Sequence, residues 1–154
     1  MTRIKDWKVE DLTLEQKEIH DTILNGPRGH VVGPLRVWLN NPGLAKSAQT
    51  VGAYARYGTC LPQSLSELAI ITTGRVWSSA FEWLHHAPLA IEGGIDPKHV
   101  ETISFGKRPI FDNVKEQSVF DFAAEANILK NVTDKTYKTL IDNLGDNAAI
   151  DIVG

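Results

Sequence analysis

Apolar residues recur along this chain at intervals of three and four, and no segment alternates convincingly with a period of two. The pattern predicts an all-α protein, with no internal repeat and no low-complexity tract. Thr13 followed by Gln16 reads as a capping box, Ile19, Ile23 and Leu24 form the stripe behind it, and Asn25-Gly26-Pro27 stops it. A short helix is expected over Leu35–Leu39, broken by Asn40, Asn41 and Pro42. The next spans about Pro42–Arg56, with Leu44, Ala48, Val51 and Ala55 as its apolar line and Gly58 as its stop.

The stretch from Ser64 to Gly94 predicts two helices. Ser64 and Glu67 fit a Ser-x-x-Glu capping box, and Leu65, Leu68, Ala69 and Ile71 feed the core. Gly74 and the run Val76-Trp77-Ser78-Ser79 weaken continuity; Ser79 with Glu82 repeats the capping pattern, so a second helix starts near Ser78 and ends at Gly93-Gly94. Asp96 as N-cap and Pro97 in the first turn open a helix through Val100 and Ile103. After a loop over 106–113, a helix from Val114 to Lys130 carries Val119, Phe122, Ala123, Ala126 and Leu129 on one side. Thr133 caps the next, with Tyr137, Leu140, Ile141 and Leu144 inward and Gly145 closing it, and Ala148–Val153 begins another. Upstream, residues 1–12 are polar, with Trp7 available to anchor them.

Composition narrows the class. A chain of 154 residues fits one domain, 1–154, with one sizeable core. Net charge is −3 with acids and bases interspersed, which argues against a nucleic-acid partner because no basic stripe is present. No apolar run is long enough to span a membrane, and MTRIKDWKVEDL is too polar for a secretory signal. The single cysteine, Cys60, excludes an internal disulfide and a two-cysteine redox centre, and fits a reducing cytoplasm.

The chemistry concentrates in the central stretch. Ser79, Glu82 and His86 are spaced i, i+3, i+7, on one otherwise apolar helical face. A carboxylate and an imidazole there need partners, and an acid–base pair is one way to supply them. A structural reading stands beside it: Glu82 as the capping partner of Ser79, and His86 as a core histidine with its hydrogen bonds met. Glu67 is likewise either part of its own capping box or a second carboxylate aimed at His86. Arg75 and Arg56 are candidates to compensate such carboxylates or to bind an anionic substrate, or else surface ion-pair partners. Trp77, Trp83, Tyr54 and Phe81 would either wall an aromatic pocket or pack the core. The segment GPRGHVVGP is a connector, or a pocket wall offering Arg28 and His30; it lacks the Gly-Lys-Ser/Thr ending of a phosphate loop. His85 and His86 project about 100° apart on a helix and make poor joint ligands. With one cysteine and no His-Glu-x-x-His, no metal is expected. Cys60 has no evident base near it and reads as inert.

The segments SELAII from Ser66, FEWLHH from Phe81 and AIEGGI from Ala90 to Ile95 resemble the carboxymuconolactone decarboxylase family, whose fold is shared with alkylhydroperoxidase D. The resemblance spans roughly 26–103 and is weaker upstream, through GPLRVWLNNPGLA and YARYGTCLP. In the peroxidase branch a Glu is followed twelve residues later by Cys-x-x-Cys and then by His four further on; here these positions are Glu67, Ser79, Glu82 and His86. Both cysteines are replaced, so dithiol peroxide reduction is not expected. The resemblance implies an alkylhydroperoxidase D-like bundle assembled into homo-oligomers, trimers or hexamers, with pockets near subunit contacts. It also implies that the last helix continues past Gly154, so the chain would be cut short or lack a disordered end. The implied activity is that of a cofactor-free lyase or isomerase on a small carboxylated or lactone-type substrate. In it His86 donates the proton, Glu82 is its partner, Glu67 supports it, and Arg75 or Arg56 contacts the anion; Ser79 and His30 would join the aromatics around the substrate. Two alternatives remain: a non-catalytic ligand-binding oligomeric scaffold, and a peroxidase-like antioxidant that would have to rely on Cys60.

Overall fold

The computed structural model describes residues 3–154; Met1 and Thr2 of the polar N-terminal segment lie outside the described residues. Among the described residues there are nine α-helices, one 3-10 turn (Val9–Asp11) and no strand, so the protein is all-α. The helices are α1 (Leu14–Leu24), α2 (Pro34–Trp38), α3 (Pro42–Tyr57), α4 (Gln63–Val76), α5 (Ala80–Glu92), α6 (Pro97–Ser104), α7 (Val114–Ile128), α8 (Asp134–Leu144) and α9 (Asp146–Val153). They form two compact units, the first ending at Gly58 and the second spanning Thr59–Gly154.

The first unit holds α1 to α3 around Ile19, Ile23, Leu35, Leu39 and Ala45. The capping box at Thr13 and Gln16 forms with both of its hydrogen bonds, and Gln16 also donates to the Leu39 carbonyl at 2.9 Å. Trp7 anchors the N-terminal segment by donating its indole N–H to Asn40 at 2.8 Å. The expected stripe of α3 is turned: Leu44 and Val51 are exposed, and Ala45 is the buried residue. Small side chains face inward because α3 is approached closely. An added Cβ at Gly52 would come within 2.9 Å of the Arg28 guanidinium.

In the second unit α4 packs chiefly on α5 and α7, over a core including Leu68, Ile71, Ala90, Ile95, Val119, Phe120 and Leu140. α4 begins two residues earlier than the Ser64–Glu67 capping box requires. Pro62 is its N-cap, no side chain caps it, and Glu67 falls in the second turn, out of capping reach. α4 ends in a Schellman motif with Ser78 in the left-handed region at φ 54°: Ser78 N–H bonds the Arg75 carbonyl and Ser79 N–H the Gly74 carbonyl. α5 ends the same way through Gly94 and the buried Ile95. Asp96 and Pro97 open α6 as expected, and Asn113 and Thr133 cap α7 and α8. Two core assignments are corrected. Leu129 lies beyond the last turn of α7 and is exposed, while Phe120 is buried in its place; Tyr137 of α8 is exposed, and Leu140 carries the contact. α9 starts at Asp146, two residues before the expected Ala148.

Candidate active site

The α4–α5 hairpin brings together the three residues that the sequence singled out. Glu67 sits in the second turn of α4; Glu82 and His86 sit one turn apart on α5. His86 Nδ1 lies 2.6 Å from Glu67 Oε2, and His86 Nε2 lies 3.3 Å from Glu82 Oε2. The side chains of Glu67 and His86 are 3% and 8% exposed, and that of Glu82 is 36% exposed. The imidazole is therefore held from inside by a buried carboxylate and faces a second carboxylate toward solvent.

Packing makes this possible at Gly74, two turns after Glu67 on the same side of α4. An added Cβ there would stand 3.1 Å from the Cβ of Glu82, so the absence of a side chain lets α5 close onto α4 at the residue that partners His86. The sequence marked Gly74 only as a weak point in a helix. Its spacing of seven from Glu67 was the available signal that it shares the working face. Around the imidazole, the His85 ring meets His86 edge-on at 5.0 Å between centroids, and Phe81 stacks on His85 at 6.2 Å.

The hydrogen-bonding roles follow from what each group can donate. An ionised carboxylate only accepts, so with Glu67 ionised the 2.6 Å contact takes its proton from Nδ1 and fixes the ring plane. Nε2 is then the atom that exchanges. In the neutral ring it accepts a proton from Glu82, and in the imidazolium it donates to the Glu82 carboxylate. Nε2 therefore faces a partly exposed carboxylate with which it can exchange a proton. The two carboxylates contact opposite ring nitrogens, an arrangement that orients a ring and does not surround a common point.

The other predicted site residues are placed as follows. Ser79 is the N-cap of α5 and accepts from the Glu82 N–H at 3.5 Å; the Glu82 carboxylate turns to His86, so only half of the capping box forms. Trp83 is partly buried against the core, next to Glu82. Trp77 is exposed, donates its indole N–H to Asn127 at 2.7 Å, and carries the Lys130 ammonium 4.0 Å from its ring centre. Arg75 turns away along α4, its Nε donating to the Ser104 carbonyl at 2.8 Å. Arg56, Tyr54 and His30 belong to the first unit, where Arg56 lies 5.2 Å from the Tyr57 ring centre. Cys60 is exposed; partial burial, and then the Asp151 carboxyl, push its thiol up from the ordinary cysteine range. No protein-family model matches the chain, and no curated protein matches it.

Proposed function

We propose that the chain is a cofactor-free lyase or isomerase of the carboxymuconolactone decarboxylase type, built on an alkylhydroperoxidase D-like arrangement and acting on a small carboxylated or lactone-type substrate. The observation that carries this reading is His86, fixed at Nδ1 by buried Glu67 and open at Nε2 toward Glu82. In a decarboxylation the bond to the carboxylate carbon breaks, and its electron pair passes into the conjugated lactone carbonyl as a dienolate. His86 Nε2 delivers a proton to the carbon of that dienolate as the carbonyl re-forms. Glu82, which reaches solvent, returns a proton to Nε2, and Glu67 holds the ring in line throughout. The same pair would serve proton transfer beside a carbonyl, and so isomerisation. The raised Cys60 thiol holds less thiolate at neutral pH, which counts against a peroxidase resting on it.

The reading also carries a homo-oligomer, a trimer or hexamer, in the cytoplasm. Exposed Val51, Leu84, Ile150 and Val153 support apolar contact with further copies, and the single cysteine fits a reducing compartment.

Carbon dioxide release from a panel of unsaturated lactone acids tests the activity. The wild-type chain is expected to turn over at least one of them, and His86→Ala to lower that rate by about 10²-fold or more while circular dichroism stays helical. Unchanged turnover in His86→Ala would remove the imidazole from the mechanism.

A further inference from the structure

A cavity of about 340 Å³ opens in the second unit away from the His86 group, between the C-terminal half of α4, the end of α6 and the outer face of α7. Ile103 and Phe120, both buried, line it together with Ala124 and with Ile128 and Leu129, which are exposed. A volume of this size suits a small organic molecule. Two bulky aliphatic residues left facing water beside it are what a bound apolar body would cover.

The charged groups around the cavity are unequal. Arg108 and Asp121 satisfy each other through two hydrogen bonds of 2.8 and 2.7 Å. Glu125 turns its oxygens to the Thr133 N–H at 2.9 Å and the Thr136 hydroxyl at 2.7 Å. Arg75 and Lys107 remain. Lys107 Nζ rests 5.9 Å from the Phe105 ring centre and meets no carboxylate among the described residues. Arg75 spends Nε on the Ser104 carbonyl, which fixes its guanidinium plane and leaves the Nη edge with no carboxylate among the described residues. Gly106 completes the seat. Its φ of +69° turns the chain sharply after α6, and an added Cβ would stand 3.1 Å from Arg75 Nη2. A fixed planar fork and an ammonium, both in the lining of a largely apolar cleft, match a carboxylate head on a hydrocarbon body.

We infer that this cavity binds a small amphipathic carboxylate, its head on the Arg75 Nη edge with Lys107 alongside and its apolar body over Ile103, Phe120 and Ala124. The site is independent of the chemistry assigned to His86. Titrating the full chain with octanoate, followed by amide correlation spectra, tests it. Saturable shifts are expected at Gly106, Lys107 and Ala124, with 1-octanol binding at least ten-fold more weakly and octyltrimethylammonium not binding there. Arg75→Met should weaken octanoate about ten-fold or more. Lys107→Met, on an exposed side chain and safe for folding, should weaken it several-fold, and His86→Gln should leave it unchanged. Equal binding of octanol and octanoate, unchanged affinity in Lys107→Met, or shifts that never saturate would each overturn the proposal.

Discussion

Glu67 and Glu82 touch the same imidazole, yet burial gives them different energetic roles. Removing Glu67 leaves the Nδ1–H of a buried histidine without its 2.6 Å acceptor and opens space in the hairpin. Breaking such a buried pair costs about 3 kcal/mol or more. Glu82 is screened by water at its half-exposed position, so its loss should cost under about 1 kcal/mol. The expected outcome is that Glu67→Ala lowers both stability in urea and turnover, while Glu82→Ala lowers turnover with little effect on the urea midpoint. Equal stability losses would mean that Glu82 is structural. Sequence spacing already placed Glu82 and His86 on one face, because i and i+4 meet on any helix. It left the role of Glu67 open, since a Ser-x-x-Glu pattern explains that residue equally well. Only the position of the helix start, fixed by Pro62 and by packing on α5, decides between the two.

The hairpin that sets this geometry turns on an element-level compromise. Ser78 occupies the left-handed position of the Schellman motif between α4 and α5, where glycine is the usual residue, and Gly94 fills the equivalent position after α5. A side chain in that conformation carries a penalty, so Ser78→Gly should stabilise the protein by about 0.5–1 kcal/mol in urea denaturation, with turnover preserved. A loss of stability would show that the Ser78 side chain holds the turn through a contact of its own. Helix existence, and most caps, were legible because capping chemistry is local: Thr13, Asp96 and Thr133 act within three residues. Which face of a helix is buried was legible only where large apolar residues do the packing. On α3 the inward side is small, and on α7 burial wraps around from Val119 to Phe122, so an apolar stripe alone misplaces Leu44, Val51 and Leu129. The direction of Arg75 was not legible either, because a helix-end arginine reaches whichever carbonyl the next element presents, and here that is Ser104.

For the molecule as a whole, the outer face of α5 poses the question of assembly. Phe81, Leu84 and Ile91 recur at i, i+3 and i+10 along it, all exposed, on the helix that carries Glu82 and His86. Leu84 is 76% exposed, so in a lone chain Leu84→Asp would change stability by no more than about 0.5 kcal/mol. In an oligomer closed over this face the same substitution buries a charge without a partner and drives the copies apart. Sedimentation velocity separates the two cases. The wild-type chain is expected to run as an assembly at micromolar concentration, and Leu84→Asp as a smaller species with its helical content kept. If both run as monomers, the homo-oligomer reading fails. If both run as the same assembly, copies meet through another face, with the exposed Ile150 and Val153 of α9 the next surface to charge. Measuring turnover on the dispersed Leu84→Asp protein then asks whether the Glu67–His86–Glu82 group works within one chain. Retained activity would locate the whole acid–base apparatus inside a single hairpin, whereas loss with the fold intact would mean that a neighbouring copy completes the substrate pocket.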